Sequence, residues 1–180
     1  MLRSLLLSFC LLFSLSVLAQ TQAEDQAQLE ALIQNSFDAI FSEFDEEKLT
    51  AFYTEDFLLL EQGEVWDMDM VRSYLSRAKN NPNPSIRTNR FDYIKTVAEG
   101  DRAWIAYHNY ATISREGEVI RELYWLESAT AVRTPEGWRL DMLHSTRVEI
   151  EDWHNWLNAI IQVDEYSSDF GLGDRRRKTE

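Results

Sequence analysis

At 180 residues and a formal net charge of −13, the chain is about one domain long and strongly acidic. The acidity argues against nucleic acid or an anionic membrane as partner. The lone cysteine, Cys10, leaves no internal disulfide and no Cys-based metal cluster.

Cys10 lies within an apolar run from Leu5 to Leu18, behind Arg3 and ahead of Ala19-Gln20. A short basic start, an apolar stretch and a small residue at the cut read as a secretory signal peptide, residues 1–19. The run is shorter than the roughly 20 residues a membrane anchor needs. Bulky Phe9 before Cys10 argues against a lipoprotein. The expectation is therefore a secreted or periplasmic chain, with no membrane contact after cleavage. Cleavage would remove Arg3 and no acid, moving the charge to −14 and leaving no thiol.

From Ala23 to Phe44, Leu29, Leu32, Ile33, Phe37, Ile40, Phe41 and Phe44 recur every three or four residues, the pattern of a long amphipathic helix. Asp45 suits the cap of a second short helix, Glu46 to Tyr53. Two short strands, Phe57–Glu61 and Val65-Trp66, flank Gly63. A third helix runs from Met68 to Lys79 and stops at the Asn80-Asn81-Pro82-Asn83-Pro84 loop. Four strands follow: Arg90–Ala98, Arg102–Ser114, Glu118–Arg133 and a last one from Trp138 to Val148. The chain then predicts an amphipathic helix from Glu149 to Val163. A disordered, charged tail, 164–180, ends it. The folded domain is expected over 20–163.

The turn at Pro135-Glu136-Gly137 reads as a three-residue loop that pairs Thr134 with Trp138. One face then carries Trp138, Leu140, Met142 and His144, with Ser128 opposite His144. A similar loop at Arg115-Glu116-Gly117 pairs Ser114 with Glu118, so His108 faces Tyr124, Trp104 faces Ser128 and Tyr110 faces Glu122. Both turns agree on one inward face bearing Trp104, His108, Tyr110, Tyr124, Ser128 and His144. These six are the candidate ligand-binding set, and His144 and His108 the candidate acid–base groups. The opposite face carries Tyr107, Leu123, Trp125 and Ala129 beside Arg139 and Arg147, an apolar strip suited to a two-fold dimer. Glu127 falls on that outer face and so outside the expected site.

The order of elements resembles the nuclear-transport-factor-2-like superfamily. Tyr53-Thr54-Glu55-Asp56-Phe57 looks like that family's approach to its first strand. Glu127-Ser128-Ala129-Thr130, Glu136-Gly137-Trp138-Arg139 and Leu143-His144-Ser145-Thr146 look like its SnoaL-like branch, which is similar to the association domain of calcium/calmodulin-dependent kinases. The resemblance covers residues 24–148. It implies an α+β fold in which a cone-shaped, curved antiparallel sheet wraps the N-terminal helix and leaves an open pocket. The extra C-terminal helix is not part of that pattern.

Relatives include isomerases, dehydratases, cyclases, assembly domains and binding proteins, so the fold alone selects none of them. The expectation is a binding protein for a small apolar or aromatic ligand. An isomerase-, dehydratase- or cyclase-type enzyme using a pocket histidine is one alternative, and a dimerisation domain another. An isomerase-type base could come from Asp56 or Glu61. His108 and His144 sit too far apart in this register to share a zinc ion, so no metal or other cofactor is expected.

Overall fold

The computed structural model describes residues 22–149. The signal peptide, the C-terminal helix and the charged tail therefore lie outside the described residues. Helix α1 spans 22–36 and continues into a π-helical turn, Phe37–Ser42. The expected stripe is the buried one: Leu29, Leu32, Ile33, Phe37, Ile40 and Phe41 all enter the core. In the widened turn Phe37 and Phe41 come into ring contact at 5.1 Å. Single π turns in helices often mark functional positions.

Asp45 accepts a hydrogen bond from Glu47 N at 3.1 Å and so caps the short turn Glu46–Lys48. Helix α2, Leu49–Phe52, follows it directly. Strand β1, Tyr53–Glu61, begins four residues before the expected Phe57, because Tyr53 already belongs to the sheet and stacks on Phe57 at 4.2 Å. Strand β2 is Glu64–Trp66, and helix α3 is Met68–Lys79, with the expected bounds. Asp67 caps α3 by accepting from Met70 N at 2.9 Å.

The remaining strands are β3 (Ile86–Glu99), β4 (Arg102–Arg115), β5 (Glu118–Thr134) and β6 (Gly137–Val148). All six strands form one open sheet in the order β2-β1-β6-β5-β4-β3. Strands β1 and β6 run parallel, whereas β1–β2, β3–β4 and β4–β5 are antiparallel. The architecture is α+β, a sheet laid around one helix.

The face that packs on α1 is the opposite of the one expected. On β4 it is Ala103, Ile105, Tyr107, Asn109 and Ala111 that are buried. On β5 it is Trp125, Glu127, Ala129 and Ala131. Two local features explain the difference. Strand β5 ends at Thr134 and β6 begins at Gly137, so the turn holds two residues, Pro135 and Glu136. One residue fewer in a turn exchanges the faces of the strands it joins.

The second feature lies in β6. Trp138 and Leu140 are buried, then Leu143 and Ser145, so the alternation slips by one at Asp141-Met142. The pairing of β1 with β6 is irregular over the same stretch: it passes from Tyr53–Leu140 to Leu58–Met142. An extra residue in one strand is the usual source of such a slip.

The turn between β4 and β5 also differs. Arg115 pairs with Glu118 around Glu116 and Gly117, both at positive φ, 52° and 87°. That is a two-residue loop of the kind glycine favours. A register shift between Ile113 and Ser114 then moves the pairing by one more residue. The net offset is two, so the residues expected to share a face still do, against different partners.

Candidate functional site

The six residues expected to line a pocket occupy the outer face of the sheet. Trp104 is 41% exposed and pairs with Thr130 rather than Ser128. His108 pairs with Leu126, Tyr110 with Tyr124, and Ser128 with Ala106. Part of the set does assemble: His108 Nδ1 lies 2.7 Å from the Tyr124 hydroxyl, and the Tyr110 and Tyr124 rings stack at 4.9 Å. His144 is exposed between buried Leu143 and Ser145. The slip in β6 removes the burial on which its expected role rested.

The expected dimer strip is corrected in the same way. Tyr107, Trp125 and Ala129 are interior residues, with Tyr107 fully buried. Of the carboxylates suggested as a base, Asp56 is exposed, and Glu61 is half-buried at the rim of the cavity described next.

That cavity has a volume of about 530 Å³ and opens between α1, the β1–β2 hairpin, α3 and the inner sheet face. Phe37 and Phe41 from α1, Tyr74 from α3, and Trp66 and Trp125 from the sheet make its apolar walls. Its polar members are Arg87, Glu127 and Ser145, with Glu61, Gln62 and Glu64 at the hairpin. No histidine lines it, which corrects the expected pocket histidine. Among the described residues no cluster of His, Cys, Asp and Glu has metal-ligand geometry.

Glu127 is the central group. It is 5% exposed, and both its oxygens are held. Ser145 Oγ donates to Oε1 at 2.9 Å, and Asn109 Nδ2 donates to Oε2 at 3.1 Å. The donors come from the neighbouring strands β6 and β4. Burial pushes the Glu127 carboxyl up to about 7, because a charged form deprived of water is disfavoured. The bonds from Ser145 and Asn109 and the charge of Arg87 pull in the other direction. A carboxyl at that value is half ionised near neutral pH, the condition under which one group both takes and returns a proton efficiently.

The polar chain extends beyond Asn109. Asn89 Nδ2 donates to Asn109 Oδ1 at 2.6 Å, and Arg87 Nε donates to Asn89 Oδ1 at 3.0 Å. Four side chains from three strands thus link Arg87 to Glu127. Each amide spends its oxygen on one neighbour and its nitrogen on the next. The Arg87 guanidinium carbon sits 5.0 Å from the centroid of Trp125, 5.7 Å from Phe41 and 5.8 Å from Phe37. Aromatic faces stabilise a desolvated cation there.

Three buried donors in this region make no hydrogen bond of ordinary geometry among the described residues: the hydroxyl of Tyr53, near Ser36, the hydroxyl of Tyr107, near Glu127, and Trp125 Nε1. Burial raises both tyrosines above the ordinary phenol range, so they remain neutral donors. The Trp125 side chain lines the cavity, while its Nε1 is itself enclosed by protein. Unpaired buried donors are uncommon, and each calls for an acceptor.

Solved structures share this arrangement of elements. An NTF2-like protein with a cystatin-like fold from Novosphingobium aromaticivorans has a TM-score of 0.62 at 17% identity, covering 77% of this chain and 91% of its own. The chain has the nuclear-transport-factor-2-like fold. The CamKII hub homology domain of Chlamydamonas reinhardtii shares that fold at a TM-score of 0.60 and 17% identity, over 68% of this chain and 98% of its own. A ketosteroid isomerase-like protein of Erwinia carotovora atroseptica scores 0.54 at 17% identity, over 70% and 98% respectively. No protein-family model and no curated protein matches the chain in sequence. Members of this fold therefore carry an isomerase-like name in one case and a hub name in another, and the choice between such functions rests on the site.

Glu127, Arg87, Asn109 and Ser145 are the residues sequence reasoning missed. One signal was available. Glu127 lies in phase with Ala129 and Ala131, and Asn109 in phase with Ala103 and Ala111. Small residues at alternate strand positions leave room for a helix to approach, and so mark the covered face.

Proposed function

We propose that the chain binds a small, largely apolar molecule in this cavity and moves a proton on it, with Glu127 as the acid–base group. A buried carboxyl near 7, held between Asn109 and Ser145 at the wall of a 530 Å³ cavity, carries the reading. Binding alone requires no titratable group there, whereas proton transfer requires one beside a second polar partner.

In the step proposed, the Glu127 carboxylate takes a proton from a carbon next to a ligand carbonyl. The C–H electron pair then moves toward the carbonyl oxygen. Glu127 returns the proton at another carbon, so the reaction consumes no co-reactant.

The test uses a β,γ-unsaturated cyclohexenone and follows conversion to its conjugated isomer in wild type and Glu127→Gln. The expected loss is at least about a hundredfold, the usual size of a general-base contribution. Equal rates in the two proteins would overturn the assignment.

A second reading concerns assembly. Trp104 and Leu126, 41% and 46% exposed, stand beside the His108–Tyr124–Tyr110 cluster on the outer sheet face. We propose this face, in place of the interior strip, as the surface of a homodimer. Trp104→Glu should then convert a dimeric mass to a monomeric one in light scattering, and a monomeric wild type would refute it. The N-terminal run further supports export to the periplasm or medium. N-terminal mass spectrometry of the mature protein checks this, with Gln20 as the expected first residue.

A further inference from the structure

Arg87 is the feature that proton transfer at Glu127 leaves unused. Its guanidinium carries five N–H donors. Among the described residues only Nε is engaged, by Asn89 Oδ1, and no carboxylate lies within ion-pair distance. Burial lowers its affinity for a proton, opposed by Tyr74, Glu127 and Glu61, and the group stays cationic. A half-buried cation of this kind is expensive to keep without an anion. Packing among Phe37, Phe41 and Trp125 offsets part of that cost. The unused Nη donors belong to a side chain that lines the cavity.

We propose that Arg87 is the anion-receiving group of this cavity, and that its ligand is a small monocarboxylate with a flat apolar body. Three observations select that class. The planar guanidinium matches a carboxylate with two parallel hydrogen bonds. The walls beside it are aromatic, which suits a flat body. Two other acids of the lining are already engaged: Glu61 accepts from Gln62 Nε2 at 2.7 Å, and Glu64 from Trp66 Nε1 at 2.9 Å. Their charges repel a multiply charged anion, so inorganic phosphate is disfavoured and a single carboxylate is admitted.

The polar chain Arg87–Asn89–Asn109–Glu127 sets the orientation of such a ligand. Its carboxylate docks on Arg87, and its body extends along Trp125 toward Glu127. This deepens the proton-transfer proposal and rests on it for the position of Glu127 as the reacting group.

The test is calorimetry on the purified full chain with benzoate, benzamide and inorganic phosphate as probes. Benzoate should bind at least about tenfold more tightly than the isosteric neutral benzamide, a gap of roughly 1.4 kcal/mol. Phosphate should show no saturable binding. Arg87→Gln should abolish the preference for benzoate, and Arg87→Lys should restore only part of it, since an ammonium lacks the planar fork.

A second measurement, independent of how Arg87→Gln folds, uses wild type alone. Benzoate, and not benzamide, should shift the side-chain N–H resonances of Arg87. Equal affinity for benzoate and benzamide, saturable phosphate binding or unmoved Arg87 resonances would each overturn the proposal. Glu127→Gln should still bind benzoate while losing the isomerisation of the neutral enone. Failure of the anion site and failure of the proton-transfer site are thereby told apart.

Discussion

The inner face of β4 and β5 is the richer in apolar residues and the outer face the richer in rings, and the two are organised by different rules. The inner face alternates small residues, Ala103, Ala111, Ala129 and Ala131, with Ile105, Tyr107, Asn109 and Glu127, and nearly every side chain is buried. Its polar groups form a continuous hydrogen-bonded chain. The outer face carries the larger set of rings, Trp104, His108, Tyr110 and Tyr124, and leaves Trp104 and Leu126 substantially exposed. Its ion pairs are partly solvated, such as Arg102–Asp141 at 2.9 Å, and contribute at most about 1 kcal/mol. Ring content is therefore a poor marker of the covered face. Residue size in register, and how completely polar groups are satisfied, separate the two.

The largest expected effect comes from cutting into each face in turn. Ile105→Ala, at a fully buried position, should cost about 3 kcal/mol in chemical denaturation, from lost transfer energy and a cavity that cannot collapse. Trp104→Ala removes more atoms and should cost less than half as much, because its site is open to water. A larger loss at Trp104 than at Ile105 would reverse the assignment of the two faces.

Next in size is the pH dependence set by Glu127. Its folded value of about 7 lies above the ordinary 4.5, so the folded state holds this proton more tightly than the unfolded chain. The stabilisation is complete below about 4.5 and is lost as pH rises toward and through about 7. The whole shift corresponds to an effect on the order of 3 kcal/mol. Glu127→Gln should flatten that slope and match or exceed wild-type stability at alkaline pH. A variant with an unchanged slope would show that Glu127 is not the group responsible.

The smallest effect sharpens the comparison at adjacent residues of β6. Ser145→Ala removes a hydrogen bond to the charged form of Glu127, so it should raise that carboxyl further and cost about 1 kcal/mol. His144→Ala, one residue away on the exposed face, should change stability by less than about 0.5 kcal/mol. Carbon NMR of the Glu127 carboxyl reads the first, and denaturation the second. A response at His144 as large as at Ser145 would mean that the slip in β6 is misplaced.

Much of the fold was legible because it rests on strong periodicities. The α1 stripe from Leu29 to Phe41, the bounds of α3 and the four long strands all follow from spacing and from the residues that interrupt it. The site was not legible, because its position depends on parity. A two-residue turn at Pro135-Glu136 and the slip near Met142 each exchange the faces of a strand, and neither alters composition. A buried glutamate also reads as a surface residue until its partners are known. Asn109 and Ser145 lie 18 residues from Glu127 on either side, so no local pattern announces them.

The irregularity at Asp141-Met142 has one more consequence, for how the chain tolerates change in length. Three residue steps separate buried Leu140 from buried Leu143, where a regular pleat has an even number. Removing or adding one residue at Asp141-Met142 makes the number even, so the strand can straighten with Ser145 still on the inner face. In a regular strand the same change in length would turn every later side chain outward. The wall of the cavity thus tolerates a change of one in the length of this stretch.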